Sequence, residues 1–326
     1  MSKETAAFIQ PQPQCNSAGE ERTVGFELEF SGVTLADTID VVEQTLSGRI
    51  EQQSAAQAKI STPLGVFHVE VDWDFLKQQA KHVEQNSTEQ ALVETLSSVA
   101  EKVVPIEVVC PPIKISQLDQ LSPLVQALRD KGSVGTEQSL IAAYGVHINA
   151  EIPSLDADTI YNYLLAFALL QWWLIDAHNV DIARRVSPYI APFDDQYISH
   201  LVNQRPSNVT DIIDDYLQFN ATRNRALDML PLFAEIDPQR VQAEVDDNKI
   251  KARPTFHYRL PNCHIDDDNW HLAQPWNLWC YVERLANDNA SLATLAASFK
   301  AATRPLVGVN KNAWTKTVEQ WINDQS

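Results

Sequence analysis

Glycine is scarce in this chain, with 9 in 326 residues. Neither G-x-G-x-x-G nor G-x-x-x-x-G-K-[ST] occurs, which argues against a fold that cradles phosphates in a glycine-rich loop. Positive charge is also short: 25 Lys plus Arg stand against 43 Asp plus Glu, a formal charge of −18. Nucleic-acid backbones and anionic bilayer surfaces need cationic partners, so neither is expected here. Long apolar runs are missing too. The longest, Tyr163 to Ile175, has 13 residues and includes Gln171, against about 20 for a bilayer span. It reads as a buried core helix. The four cysteines (Cys15, Cys110, Cys263, Cys280) form no C-x-x-C pair and no zinc-ligand rhythm. The N-terminal stretch has no apolar core of a secretory signal, and the cysteine pattern is that of a reducing compartment. A cytoplasmic protein is expected.

The hydrophobic fraction of 44% is that of a folded protein, and the length is enough for a sizeable core. Residues 1–20 are rich in Gln, Pro, Ser and Glu without periodicity and read as a flexible leader, followed by one domain over 21–326. Strands are predicted at Arg22 to Gly32, Pro105 to Cys110, Tyr144 to Ile152 and Thr255 to Leu260. Ile50 to Ile60 and Leu64 to Trp73 read as a hairpin turning at Thr62-Pro63. Helices are predicted at Thr34 to Leu46, Ser87 to Val103, Ser116 to Asp130 and Asp156 to His178. Further helices follow at Asp194 to Asn203, Val209 to Phe219 and Thr222 to Leu230, and near Trp276 to Ala286, Ser291 to Ala301 and Asn312 to Asn323. The mixture lacks regular βαβ alternation, which favours an α+β fold with a mainly antiparallel sheet.

What is present in excess is charge inside apolar strands. In V-G-F-E-L-E-F, Glu27 and Glu29 share one face while Phe26, Leu28 and Phe30 take the other. His68, Glu70 and Asp72 repeat this in F-H-V-E-V-D-W, and Glu107 stands among hydrophobes in P-I-E-V-V-C-P-P. His147 and Asn149 share a face in Y-G-V-H-I-N, as do His257 and Arg259 in F-H-Y-R-L, with Arg253 just upstream. Two readings fit this pattern. One is a half-solvated sheet, where polar alternation is routine. The other is a metal-centred acidic face, because neighbouring carboxylates repel unless a cation offsets them. Oxygen ligands of this kind suit Mg²⁺ or Mn²⁺ better than zinc.

At these residues the sequence resembles the amidoligase family of carboxylate–amine ligases, within the glutamine synthetase and glutamate–cysteine ligase superfamily. The matching pieces are Val24 to Phe30, His68 to Asp72, Glu107 to Pro112, Tyr144 to Asn149 and Arg253 to Asn262, in the family's order. The resemblance implies a glutamine synthetase-like curved sheet, helices packed on its convex side, and two or three Mg²⁺ or Mn²⁺ ions on its concave face. It implies Glu27, Glu29, Glu70, Glu107, His147 and His257 as metal ligands. It further implies that His147, Asn149 and Arg259 bind ATP and that Arg253 and Arg259 act catalytically on phosphates. The wider superfamily commonly reads R-x-E-x-R in the last strand, and His257 stands where that Glu falls.

The chemistry implied is transfer of the γ-phosphoryl of ATP to a carboxylate, giving an acyl phosphate that an amine then attacks. Substrates would be small-molecule or peptide carboxylates and amines, with a glutamine-handling enzyme as partner. Two alternatives stand beside it: a guanidino-kinase-like phosphotransferase, and a non-catalytic protein on a degenerate ligase fold, suggested by His257. Among the other charged residues, Arg184 and Arg185 would neutralise the end of the apolar helix or help bind substrate. Arg223 and Arg225 read as surface residues.

Overall fold

The computed structural model describes residues 7–72, 105–136, 144–186, 188–304 and 307–324. The helix expected at Ser87 to Val103 and the last residue of the second hairpin strand, Trp73, lie outside them. The chain is α+β with a mainly antiparallel sheet. The chain divides into two compact units. The first holds Val24–His147 and Pro261–Leu272, the second Phe8–Thr23, Ile148–Leu260 and Ala273–Ser326. Each is assembled from separate stretches of chain, so no linker composition marks the division.

The first unit begins with β1 (Thr23–Phe30), whose Val24, Phe26, Leu28 and Phe30 are buried while Glu27 and Glu29 are half-buried on the opposite face. Gly32 ends the strand with a φ of +86°, beside the Ser31–Val134 bridge. A Cβ there would lie 2.8 Å from Val134 Cγ2, so only glycine fits the turn. Helix α1 (Leu35–Thr45) starts where Thr34 accepts the Asp37 N–H. It packs across β3 (Gln57–Thr62) and β4 (Gly65–Val71), which follow β2 (Arg49–Gln53). After β5 (Ile106–Val109) and the short β6 (Ile113–Lys114), a 3₁₀ turn over Ile115–Leu121 leads into α2 (Ser122–Asp130), packed on α1. The strand order is β2-β3-β4-β5-β1, and β6 also pairs with β1. The next strand, β7 (Val146–Ala150), starts in this unit and ends in the second. Just before it, Gly145 accepts the Glu29 N–H at 3.1 Å.

The second unit centres on α3 (Ala157–Ala177), capped by Asp156 accepting the Thr159 N–H at 2.8 Å and buried almost all round. Smaller elements follow: α4 (Ile182–Arg185), α5 (Asp195–Asn203), α6 (Val209–Asn220), β8 (Leu227–Asp228), α7 (Leu230–Ile236), α8 (Pro238–Glu244) and β9 (His257–Tyr258). Antiparallel β9 lies between β8 and the second half of β7. Helices α9 (Ala273–Asn287), α10 (Asn289–Ala302) and α11 (Lys311–Asp324) pack on α3. Trp314 of α11 donates its indole N–H to the Leu169 carbonyl at 2.8 Å. No helix among the described residues is long and apolar enough to cross a membrane.

Two local expectations are corrected. Ile50 to Ile60 is not one strand: Ser54 Oγ accepts the N–H groups of Ala56 and Gln57 at 3.3 and 3.2 Å and reverses the chain. Thr222 to Leu230 is not a helix. Thr222 Oγ1 turns the chain by accepting the Asn224 N–H, Leu227–Asp228 pair with β9, and helix begins at Leu230 with Pro231 in its first turn. Residues 8–20 are held in place: Phe8 and Pro11 are buried, the Ile9 N–H donates to Asn277, and Trp276 donates to the Ile9 carbonyl, both at 2.8 Å. Apolar Phe8-Ile9 and the two prolines give this Gln-rich stretch something to bury.

Candidate metal centre

Strand register decides which carboxylates meet in the first unit. Glu107 on β5 stands opposite Glu29 on β1 and, on its other side, opposite Glu70 on β4. Neighbouring strands lie about 4.8 Å apart, so the three form a row across the sheet. The next row runs Glu27, Val109, His68, Lys59. Two carboxylates at that spacing repel by on the order of 3 kcal/mol at an effective dielectric near 20. Glu107 bears the result. Burial, and then the charges of Glu27, Glu29, Asp72 and Glu70, push its carboxyl well above the usual glutamate range.

His147 closes the group. Its Nδ1 is 2.9 Å from Glu27 Oε2 and its Nε2 is 3.5 Å from Glu29 Oε1. Glu29 Oε2 in turn accepts the Gly145 N–H at 2.8 Å, so a backbone donor two residues before His147 aims its other oxygen. One donor atom each from Glu29, Glu107 and His147 lie within 4.8 Å of one another. Two carboxylates and an imidazole on paired strands, with Glu107 raised by burial and like charge, fit a divalent cation of the Mg²⁺ or Mn²⁺ type. Glu27 is linked to this set through His147, and Glu70 through its register with Glu107.

In the second unit, Arg253 and Asn149 are brought together: the guanidinium donates to Asn149 Oδ1 at 2.7 Å and to Thr255 Oγ1 at 3.1 Å. Buried His257 and Arg259 sit side by side, Nδ1 to Nη2 3.4 Å. Beside both lies Asp228, to which the sequence pattern assigns no role. Its Oδ2 is 3.5 Å from His257 Nδ1 and 3.7 Å from Arg259 Nη2. The signal for it was an isolated acid in A-L-D-M-L-P-L-F. Arg184, Arg185 and Arg225 hold backbone carbonyls. Arg184 donates to the carbonyls of Leu260 and Arg259, and Arg185 to those of Val180 and Ile175 past and within the last turn of α3. Arg225 binds the Pro192 and Phe219 carbonyls, while Arg223 pairs with Asp247 at 3.6 Å.

No curated protein and no solved structure matched the chain. Residues 20–281 match the family described as "putative amidoligase enzyme", a span that holds Glu27, Glu29, Glu70, Glu107, His147, Asn149, Arg253, His257 and Arg259. With most of its length inside that match, and with Glu29, Glu107 and His147 gathered on one sheet face, the chain belongs to the amidoligase family.

Proposed function

We propose that the protein is an ATP-dependent carboxylate–amine ligase that forms an amide through an acyl phosphate, on a small-molecule or peptide substrate. The observation that carries this reading is the donor set Glu29, Glu107 and His147. A carboxylate is a poor electrophile, so amide formation needs activation. A carboxylate oxygen attacks the γ-phosphorus, the bond to ADP breaks, and the amine nitrogen then attacks the acyl carbon, expelling phosphate and losing a proton. A divalent cation held by Glu29, Glu107 and His147 would neutralise phosphate oxygens as charge moves onto ADP. Glu27 orients His147 through its 2.9 Å contact, and Glu70 adds charge on the far side of Glu107. We assign Arg253 and Arg259 to phosphoryl oxygens, Arg253 being aimed by Asn149 and Thr255. Gripping the nucleotide through metal and guanidinium needs no glycine-rich loop, in keeping with the 9 glycines.

Titration calorimetry with Mn²⁺ and a non-hydrolysable ATP analogue tests the reading. The analogue is expected to bind only with metal present, and Glu29→Gln to weaken Mn²⁺ binding by about tenfold or more, as loss of a charged ligand should. With ATP, ADP release that depends on an added amine identifies a ligase, whereas a stable phosphorylated product identifies a phosphotransferase. Metal-independent nucleotide binding, unchanged in Glu29→Gln, would count against both.

A further inference from the structure

Residues 9–12 cross α9 and bound a cavity of about 400 Å³ against it, wholly within the second unit. That is the lower end of the range for small-molecule pockets, ~300–1,000 Å³. Positions 277, 280, 281, 284, 287 and 288 recur at three- and four-residue spacing, so one face of α9 and the turn after it form the far wall. The near wall is fixed through its backbone: Asn277 accepts the Ile9 N–H and Trp276 donates to the Ile9 carbonyl, both at 2.8 Å. Cys280 is buried at the base. Burial, and then the charge of Glu283, push its thiol well above the usual cysteine range, so the cavity holds no nucleophile. Its chemistry is that of binding.

One end of the cavity accepts hydrogen bonds. Asn287 uses both amide hydrogens, on the Tyr163 hydroxyl at 3.1 Å and the Glu283 carbonyl at 2.8 Å, which leaves Oδ1 as an acceptor. Asp288 beside it caps α10 by accepting the N–H groups of Ala290 and Ser291, both at 3.1 Å. Hydrogen bonds from the Ser291 side chain and backbone hold its carboxyl below the usual aspartate range, so it is an anion at neutral pH. One helical turn back stands Arg284, its guanidinium 5.8 Å from the centroid of the Tyr281 ring. A simple anion here meets the oxygens of Asn287 and Asp288, and a simple cation meets Arg284. A molecule carrying both charges a few bonds apart satisfies both. Gln10 and Gln12 on the near wall each offer a donor and an acceptor, which suits an uncharged polar group. We propose that this cavity binds a free α-amino acid with an uncharged polar side chain. Its carboxylate pairs with Arg284, its ammonium with Asn287 Oδ1 and Asp288, and its side chain turns toward Gln10 and Gln12. A peptide fits less well, since an internal residue carries neither charge and a terminus only one.

Calorimetry with L-asparagine tests this, beside two derivatives that each lack one charge. The parent should bind asparagine, and should bind N-acetylasparagine and asparaginamide about tenfold or more weakly, as loss of a charged hydrogen bond requires. Arg284→Gln should weaken asparagine by a similar factor and leave asparaginamide, which has no carboxylate to lose, unchanged. Asp288→Asn keeps an oxygen for the cap; it should weaken asparagine and leave N-acetylasparagine unchanged. Bound asparagine should also slow hydrogen exchange at the Ile9 amide severalfold, which places the ligand against residues 9–12. No binding of asparagine in the millimolar range overturns the proposal. So does equal affinity for the three ligands, or Ile9 exchange that asparagine leaves unchanged. Should a variant fail to fold, the three ligands and Ile9 exchange in the parent protein decide the matter without it.

Discussion

Glu283→Gln is expected to destabilise the second unit by about 3–5 kcal/mol, the usual result of removing one partner from a buried ion pair. Arg22 and Glu283 are both 0% exposed and joined bidentately, Nη2 to Oε1 at 2.7 Å and Nη1 to Oε2 at 3.0 Å. Trp279 donates to Oε1 at 2.9 Å, and the Tyr163 hydroxyl donates to Oε2. Every carboxylate lone pair thus faces a donor, and the guanidinium uses its other hydrogens on the Glu151 and Pro13 carbonyls. Burial opposes the charge on Arg22, yet the charge and hydrogen bonds of Glu283 outweigh it and raise the guanidinium pKa above its ordinary value. In Glu283→Gln an amide NH₂ confronts Arg22 and the cation has no counter-charge. Denaturant unfolding followed by tryptophan fluorescence measures the loss. Arg22→Met with Glu283→Leu should recover much of it, because two apolar groups leave no orphaned charge. A loss below about 1 kcal/mol for Glu283→Gln would mean that the pair is not held as the geometry indicates.

That pair also marks where a sequence stops being readable. Arg22 opens a strand whose alternation is plain, and the burial of Val24, Phe26, Leu28 and Phe30 follows from period two alone. The helices at Leu35, Ala157 and Val209 start beside Thr34, Asp156 and Asn208, each accepting a backbone N–H as their types suggest. Local chemistry of this sort is written in a few adjacent residues. The partner of Arg22, by contrast, is 261 positions away, and no local pattern names it. Candidate site residues divide the same way. Glu27, Glu29, Glu70 and Glu107 were visible as acids within apolar strands, but the row of Glu29, Glu107 and Glu70 depends on the register of β1, β5 and β4, which is set by pairing between distant segments. Asp228 stayed hidden because its strand is two residues long and the surrounding run, with Pro231, resembles a helix start. Periodicity assigns a face to a side chain and leaves open what covers that face.

The row of carboxylates carries the last prediction, that Glu107→Gln will raise the melting temperature of the metal-free protein at neutral pH while abolishing most of its response to Mn²⁺. Burial and the charges of Glu27, Glu29, Asp72 and Glu70 hold the Glu107 carboxyl well above its unfolded value. For an acid whose folded pKa is raised, the folded state binds the proton more tightly than the unfolded chain does. Its contribution to stability is therefore complete below the ordinary glutamate value of about 4.3 and declines as pH rises through the elevated one. In EDTA, stability should fall across that window in the parent and fall less steeply in Glu107→Gln, which has no charge to acquire. A divalent cation reverses the sign of the local field: Mn²⁺ displaces the Glu107 proton, so its affinity should increase with pH and its stabilising effect should be larger at pH 7 than at pH 5. Calorimetry should find Mn²⁺ binding to Glu107→Gln weaker by about tenfold or more, since a charged oxygen ligand is replaced by a neutral one. Melting curves in EDTA and in Mn²⁺ at the two pH values separate the effects. A Glu107→Gln protein that melts below the parent in EDTA at pH 7, and gains as much from Mn²⁺, would show that the carboxylate row is an ordinary wet sheet face and not a cation site.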